Sequence, residues 1–505
     1  MSSTPVAAGP AATPTPAATP PASAAPTDTS ATSAAVPAPS ATPGATRPGR
    51  SSPTASPTAS PAATLAVASA ATTVALMNYT VPMLTLPDLA ATFSTATSAQ
   101  AWLLNGAPLG LAALLLVAGS LADDYGRRRL FLAGTLGLAL TTALGALAGS
   151  TLTFTLARVA QGASSAAIIA SSLGLLVHAF PPGPGRIRAT GVWGAFVSAG
   201  IATGPLLAGW LGTYSWRLPY VVLAAAALAV TVLALRTLAE SRSARGGRPD
   251  LLGAVVLGLA MTALLSALTL GRDGWLRTPV VLLLVAAAVL TGIFAAVERR
   301  GATPLIDPRL LGRRPFQAAT SGALFSGLAV IGFFSYLPAL LQRTLGISPL
   351  GAAGLFVTWS GTAFLVALQT RRLAGRVTAR HQLALGFVLH AAGALAMLGA
   401  AASGSALRLV PGLVVAGVGG GLLNAALPRL SVESVPQERA AMGSGANNTA
   451  RYIGSAAGVA LMIAVATSAS TPERGTDLAI LVSTGLTLLG AALVLALRDG
   501  PRARG

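Results

Sequence analysis

Residues 119–130 read GSLADDYGRRRL, and the flanking stretches 100–118 and 131–149 contain no charged side chain at all. A charged, glycine-bearing turn between two apolar runs of about twenty residues is what a chain needs when it crosses some 30 Å of hydrocarbon twice and turns back outside it. The same alternation continues along the chain. From residue 62 onward, fourteen such runs recur between short arginine-bearing loops, the first spanning about 62–86 and the eleventh about 382–402. Composition agrees: 53% of the 505 residues are hydrophobic and 9% charged, with a mean hydropathy of +0.70. That is more apolar surface than a soluble core of this length can cover, so lipid must cover the rest. The fold class expected is an all-α integral membrane protein.

An even number of crossings puts both termini on one side, and arginine decides which. If the termini are cytoplasmic, the inner loops and tails hold 25 of the 33 arginines and the outer loops six, with Arg158 and Arg451 left inside helices. The positive-inside rule therefore places both termini in the cytoplasm. The net charge of +19 has the same origin, and nucleic acid is not expected as a partner. Residues 1–61, almost entirely Ala, Pro, Thr and Ser, can bury little and are expected to form a disordered cytoplasmic tail.

The chain has no cysteine and three histidines, His178, His381 and His390, too far apart in sequence to suggest a metal cluster. No constellation of acids, histidines and a nucleophile at one interface marks an enzyme. Neither cofactor nor metal is expected. The partners expected are the lipid bilayer and a small-molecule cargo, with protons as a possible coupling ion, and the working unit expected is a monomer.

The charged turn has a weaker echo. LADDYGRRRLFLAG at 121–134 aligns without gaps on LAGRVTARHQLALG at 373–386, and each copy joins an even run to an odd one on the arginine-rich side. Parallel six-helix repeats explain this. The expected organisation is a first half at 62–240, a second at 316–497, and a two-helix hairpin at 251–297 inserted between them.

Within the turn, Gly119 allows helices to approach closely, Asp123 suits a neighbouring helix N-terminus, and Gly126 supplies the tight turn, with Arg127 and Arg128 beside it. The fourth run carries LARVAQGAS, with Arg158, Gln161 and Gly162. An arginine in hydrocarbon costs about 2.5–3.5 kcal/mol even on a lenient scale, so Arg158 should face a polar partner or cavity. The fifth run, GVWGAFVSAGIATGPLLAG at 191–209, places Gly191, Gly200, Gly204, Pro205 and Gly209 so that Gly200, Gly204 and Ala208 share one small-residue face. Pro205 deletes a backbone hydrogen bond and can kink the helix.

Together these segments resemble the major facilitator superfamily. GSLADDYGRRRL is similar to its signature loop, LARVAQG to its fourth-helix pattern, and the 191–209 spacing to the antiporter motif of its exporters, with Ala208 in place of a glycine. The resemblance is to the fourteen-helix drug:proton antiporter branch, and it implies two six-helix halves rocking around a midplane cavity. It also implies a cavity lined by the first, fourth, ninth and twelfth helices, bringing Asn78, Thr80, Arg158, Gln161, Tyr336 and Asn424 within reach of cargo. The function implied is export of small amphiphilic molecules; an uptake permease is the alternative, and a membrane enzyme or scaffold a remoter one.

One departure stands out. Where that branch reads Asp-x-Thr-Ile-Val-Asn in the first helix, this chain reads NYTVPM from 78, so Asn78 replaces the acid and Met83 the asparagine. No acid lies in the middle of any run. Asp88 and Glu433 are the nearest candidates for a proton carrier, and a neutral, anionic or amphiphilic cargo suits Arg158 better than a permanent cation.

Overall fold

The computed structural model describes residues 60–95, 97–241, 251–271, 274–300, 308–373 and 376–497. The expected tail at 1–61 lies outside the described residues except for its last two, and Pro61 already opens the first helix. The first half contains α1 (Pro61–Thr80), α2 (Pro82–Thr92), α3 (Thr97–Tyr125), α4 (Arg127–Ala146), α5 (Thr151–Ala179), α6 (Pro184–Leu211) and α7 (Leu218–Thr237). The hairpin is α8 (Leu251–Leu270) and α9 (Thr278–Arg300). The second half contains α10 (Pro308–Leu311), α11 (Arg314–Phe325), α12 (Gly332–Leu345), α13 (Pro349–Gln369), α14 (Ala379–Leu395), α15 (Val410–Glu433), α16 (Ala440–Ser468) and α17 (Pro472–Ala496).

The chain is a multi-pass membrane protein. Among the described residues, thirteen helical passes are long and apolar enough to cross a bilayer by themselves. The further pass, α14, has 17 residues and continues as turns through 396–404, so the eleventh run is helical for less of its length than its hydropathy suggests.

Prolines start many of these helices, because the first turn has no use for the missing N–H: Pro61, Pro82, Pro184, Pro349 and Pro472 stand at the first positions of theirs. Ser150 and Thr153 close a reciprocal capping box on α5. Two passes are interrupted. The first breaks at Val81 into α1 and α2, because Pro82 cannot donate to the carbonyl four residues back. The ninth carries a π-helical turn, Ser326–Ile331, between α11 and α12.

Two apolar cores fill the bundle. One is formed mainly by α1–α7 around Phe131, Phe154, Trp193 and Tyr220, with Leu265, Val432, Ala440 and Tyr452 joining it from α8, α15 and α16. The other is formed by α11–α17 around Phe333, Phe334, Phe387 and Met462. A third, smaller cluster joins α3, α8, α9, α11 and α16 through Leu116, Leu257, Phe294, Phe316 and Met442. The hairpin thus lies along the α3–α16 seam between the halves, with α8 against the seam. Only 17% of the apolar window of α9 is buried, which leaves that helix facing lipid.

Candidate functional site

The charged turn forms a latch on the arginine-rich side. Asp123, fully buried, accepts from Arg127 Nε at 2.9 Å and Nη2 at 2.8 Å, and from the backbone N–H of Met442 at 2.9 Å and Ala441 at 3.4 Å. Those two amides open α16, so a carboxylate of the first half sits at the positive end of a helix of the second. Arg127 Nη2 goes on to donate to the carbonyls of Gln437 and Glu438, each at 3.2 Å.

Gly126 holds φ +123°, a conformation that L side chains rarely adopt, and a Cβ there would press on the Glu240 carboxylate. Glu240 in turn accepts from the Arg128 amide at 3.1 Å and pairs with Arg129 at 3.6 Å. Arg128 also donates to the Leu235 carbonyl at 2.9 Å. Sequence alone assigned these arginines to topology; here Arg127 is buried and bridges the halves.

Small residues make the closure tight. A Cβ on Gly119 would collide with the Ala441 carbonyl, and one on Gly445 with the Leu115 carbonyl, so α3 and α16 meet backbone to backbone. On the opposite seam Gly194 lies against the Asn424 carbonyl, Ser198 Oγ accepts from Asn424 Nδ2 at 2.8 Å, and Phe196 meets Phe364 edge to face at 6.2 Å.

Helix α6 uses different faces along its length. Gly191 approaches Thr370 of the second half, whereas Gly200 and Gly204 lie against the α1 backbone at Thr73 and Met77, with the Thr80 hydroxyl over Gly204. Gly209 lies against Leu84 and Leu350, and Pro205 is inside the helix. The small-residue face expected at Gly200 and Gly204 is thus turned to α1, while Gly191 and Gly209 meet other neighbours.

Arg158 is fully buried between α5 and α1. Its Nη1 donates to the Asn78 carbonyl and Oδ1, each at 2.7 Å, and to Gln161 Oε1 at 2.8 Å, while Nη2 reaches the Tyr79 carbonyl at 3.3 Å. Asn78 Nδ2 donates to Thr142 Oγ1 at 2.7 Å and Gln161 Nε2 to the Thr141 carbonyl at 3.1 Å, fixing both amides. Gly162, one turn on, packs against the Ala107 carbonyl of α3. Asn78, Thr80, Arg158 and Gln161 were expected at a cavity wall; the structure instead buries them between helices, where neutral acceptors of the first half take the hydrogen bonds of both terminal nitrogens of the guanidinium.

The open space lies elsewhere. A cavity of about 410 Å³ sits in the half of the bundle away from the latch, bounded by Asn105, Thr269, Tyr336, Gln342, Tyr79 and Tyr452 among others. Thr269 shows that the inserted hairpin supplies part of its wall. A second chamber of about 50 Å³ lies deeper and contains Ser326, Trp359, Asn424 and Arg451. Tyr79 and Tyr452 border both spaces, with ring centroids 6.0 Å apart. Arg451 carried no role in the sequence; an arginine mid-run, one residue before a tyrosine in GANNTARYIGSAAG, was the signal.

Neither candidate proton carrier borders these spaces. Asp88 is exposed on α2, and Glu433 pairs with Arg429 at 2.8 Å at the latch-side end of α15.

Known proteins share this architecture. The human organic anion transporter MFSD10 superposes with a TM-score of 0.62 over 86% of this chain and 99% of its own, at 18% identity, a likeness of fold alone. Multidrug resistance protein Stp of Mycobacterium tuberculosis is 33% identical over 380 residues, 75% of this chain and 70% of its own. Puromycin resistance protein pur8 of Streptomyces alboniger is 30% identical over 465 residues, 86% and 91%. Cephamycin export protein CmcT of Amycolatopsis lactamdurans is 33% identical over 394 residues, 75% and 80%. The family model described as Major Facilitator Superfamily matches residues 68–459 and, in a second alignment, 319–504. Similarity over most of the chain, in sequence and in fold, makes this protein a member of the Major Facilitator Superfamily.

Proposed function

We propose that the chain exports small amphiphilic molecules, antibiotics and related drugs among them, by alternating access between its two halves. The arginine-rich side is read as cytoplasmic, with both termini there, on the positive-inside rule. A single chain supplies both halves and the hairpin wall, which supports a monomer as the transporting unit.

The observation that carries the reading is the asymmetry of closure. On the arginine-rich side the Asp123 latch and the glycine contacts of α3 with α16 and α6 with α15 bring the halves together. On the other side a cavity of about 410 Å³ stands between them. That is one of the two end states a rocking transporter requires, with cargo facing away from the cytoplasm. The names of the relatives, which speak of resistance and export, support the direction.

Protons are proposed as at most a loosely coupled co-substrate, because the helix-1 acid is an asparagine and Asp88 and Glu433 lie outside the cavities. The test is accumulation of antibiotics and dyes by everted membrane vesicles, with a resistance screen of the overproducing strain to supply compounds. Flux into the everted vesicles that is absent from vesicles lacking the protein is expected; net flux only in the opposite direction would replace export by uptake.

A further inference from the structure

Resting on the export reading, we propose that Arg451 anchors an acidic group of the cargo, and that the transported class is flat aromatic acids.

Arg158 and Arg451 both lie partway along membrane-spanning helices, and the structure separates their tasks. Arg158 is enclosed, and its two terminal nitrogens donate to Asn78, Tyr79 and Gln161. Arg451 is 7% exposed, and what it exposes is the deeper chamber. Its Nη2 is held by Asn448 Oδ1 at 2.7 Å, and its buried Nε, like that of Arg158, has no hydrogen-bond partner among the described residues. A guanidinium that borders an internal chamber with no carboxylate beside it is costly in a membrane unless a ligand supplies one, and of the two only Arg451 borders such a space. Among the described residues, no Asp or Glu borders either the chamber or the larger cavity. The missing counter-charge must then come from what enters.

The dimensions fit a molecule with a small charged head and a broad body. The chamber of about 50 Å³ accommodates a group the size of a carboxylate, whereas the cavity of about 410 Å³ falls in the range of small-molecule sites. Tyr79 and Tyr452 stand at the boundary, and the Arg451 Cζ lies 5.3 Å from the Tyr452 ring centroid. An aromatic body can therefore lie against the tyrosines while its acid reaches the guanidinium.

The backbone holds Arg451 in place. The π-helical turn Ser326–Ile331 brings Gly327 against the Arg451 carbonyl so closely that a Cβ would collide, and Ser326 from the same turn borders the chamber. A π-helical turn inside a transmembrane pass is a feature enriched at functional positions.

The experiment uses three isosteric probes that differ in charge: 2-naphthoate, 2-naphthamide and 2-naphthamidine. Equilibrium binding to the purified full chain in detergent is measured by calorimetry for wild type, Arg451→Gln and Arg451→Lys, and vesicle transport is measured in parallel. Wild type should bind naphthoate about tenfold more tightly than naphthamide. Arg451→Gln should bring that ratio near one while naphthamide binding changes by less than about twofold, and Arg451→Lys should keep part of the preference. An unchanged ratio in Arg451→Gln, or tightest binding of the amidine by wild type, overturns the proposal. Arginine-dependent binding without vesicle accumulation would leave the anchor standing and remove the export reading; accumulation with an unmoved ratio would do the reverse.

Discussion

Pro82 stands one helical turn after Asn78, and because proline has no N–H, the Asn78 carbonyl is left to accept Arg158 Nη1 at 2.7 Å. The break at Val81 and the accommodation of a buried cation are thus one feature. In place of a carboxylate, this chain offers the guanidinium an amide oxygen and a freed backbone carbonyl. Such acceptors satisfy a cation's hydrogen bonds without exchanging a proton.

Restoring that N–H should expose the dependence. Pro82→Ala is expected to raise the melting temperature, since a proline-free pass regains a helical hydrogen bond, and to lower transport several-fold as the new N–H competes with Arg158 for the Asn78 carbonyl. Thermal unfolding and vesicle flux on the same preparation check both signs. A variant with wild-type flux would separate the break from the mechanism.

Arg158→Lys retains charge but has one nitrogen where three acceptor residues surround two. Breaking a buried polar network of this kind is expected to cost about 3 kcal/mol or more. It should appear as a lower melting temperature or poor recovery from the membrane, and Gln161→Ala, which removes one acceptor, as a milder loss.

The latch gives a prediction at the other side of the bundle. Asp123→Asn removes the ion pair with Arg127 and weakens two bonds to the start of α16. Charge-assisted hydrogen bonds are worth on the order of 1.5–3 kcal/mol each, enough to shift the balance between end states at least tenfold. Transport should fall accordingly while the protein still reaches the membrane. Gly126→Val should do the same through its φ of +123°. The accessibility of a single cysteine introduced on the arginine-rich side, raised in Asp123→Asn, measures the shift.

Coupling is tested by efflux with and without a protonophore. Wild-type efflux should persist substantially when the proton gradient is collapsed, and Asn78→Asp should strengthen proton dependence by giving Arg158 a titratable partner. Asp88→Asn and Glu433→Gln report on the peripheral acids. Full collapse in wild type, unaltered by either substitution, would point to another carrier such as His390, buried on α14 with Nδ1 3.4 Å from the Ala416 carbonyl.

The sequence by itself determined the membrane class, the succession of helical passes and the family. Each follows from properties summed over many residues: apolar runs matched to bilayer thickness, arginine asymmetry between loops, and glycine and proline spacing that survives in the one-dimensional string. It also indicated that Asp123 could face a neighbouring helix N-terminus, where the dipole favours a carboxylate. Tertiary structure alone decided which helix: α16, more than three hundred residues away. It alone showed that Arg158, Asn78 and Thr80 are enclosed while Arg451 opens on a chamber. Burial of a polar side chain depends on which backbone carbonyls and small residues face it from other helices, and those neighbours are set by packing at long range. The separate faces of α6 have the same cause, since Gly191 and Gly204 share a motif but meet opposite halves of the molecule.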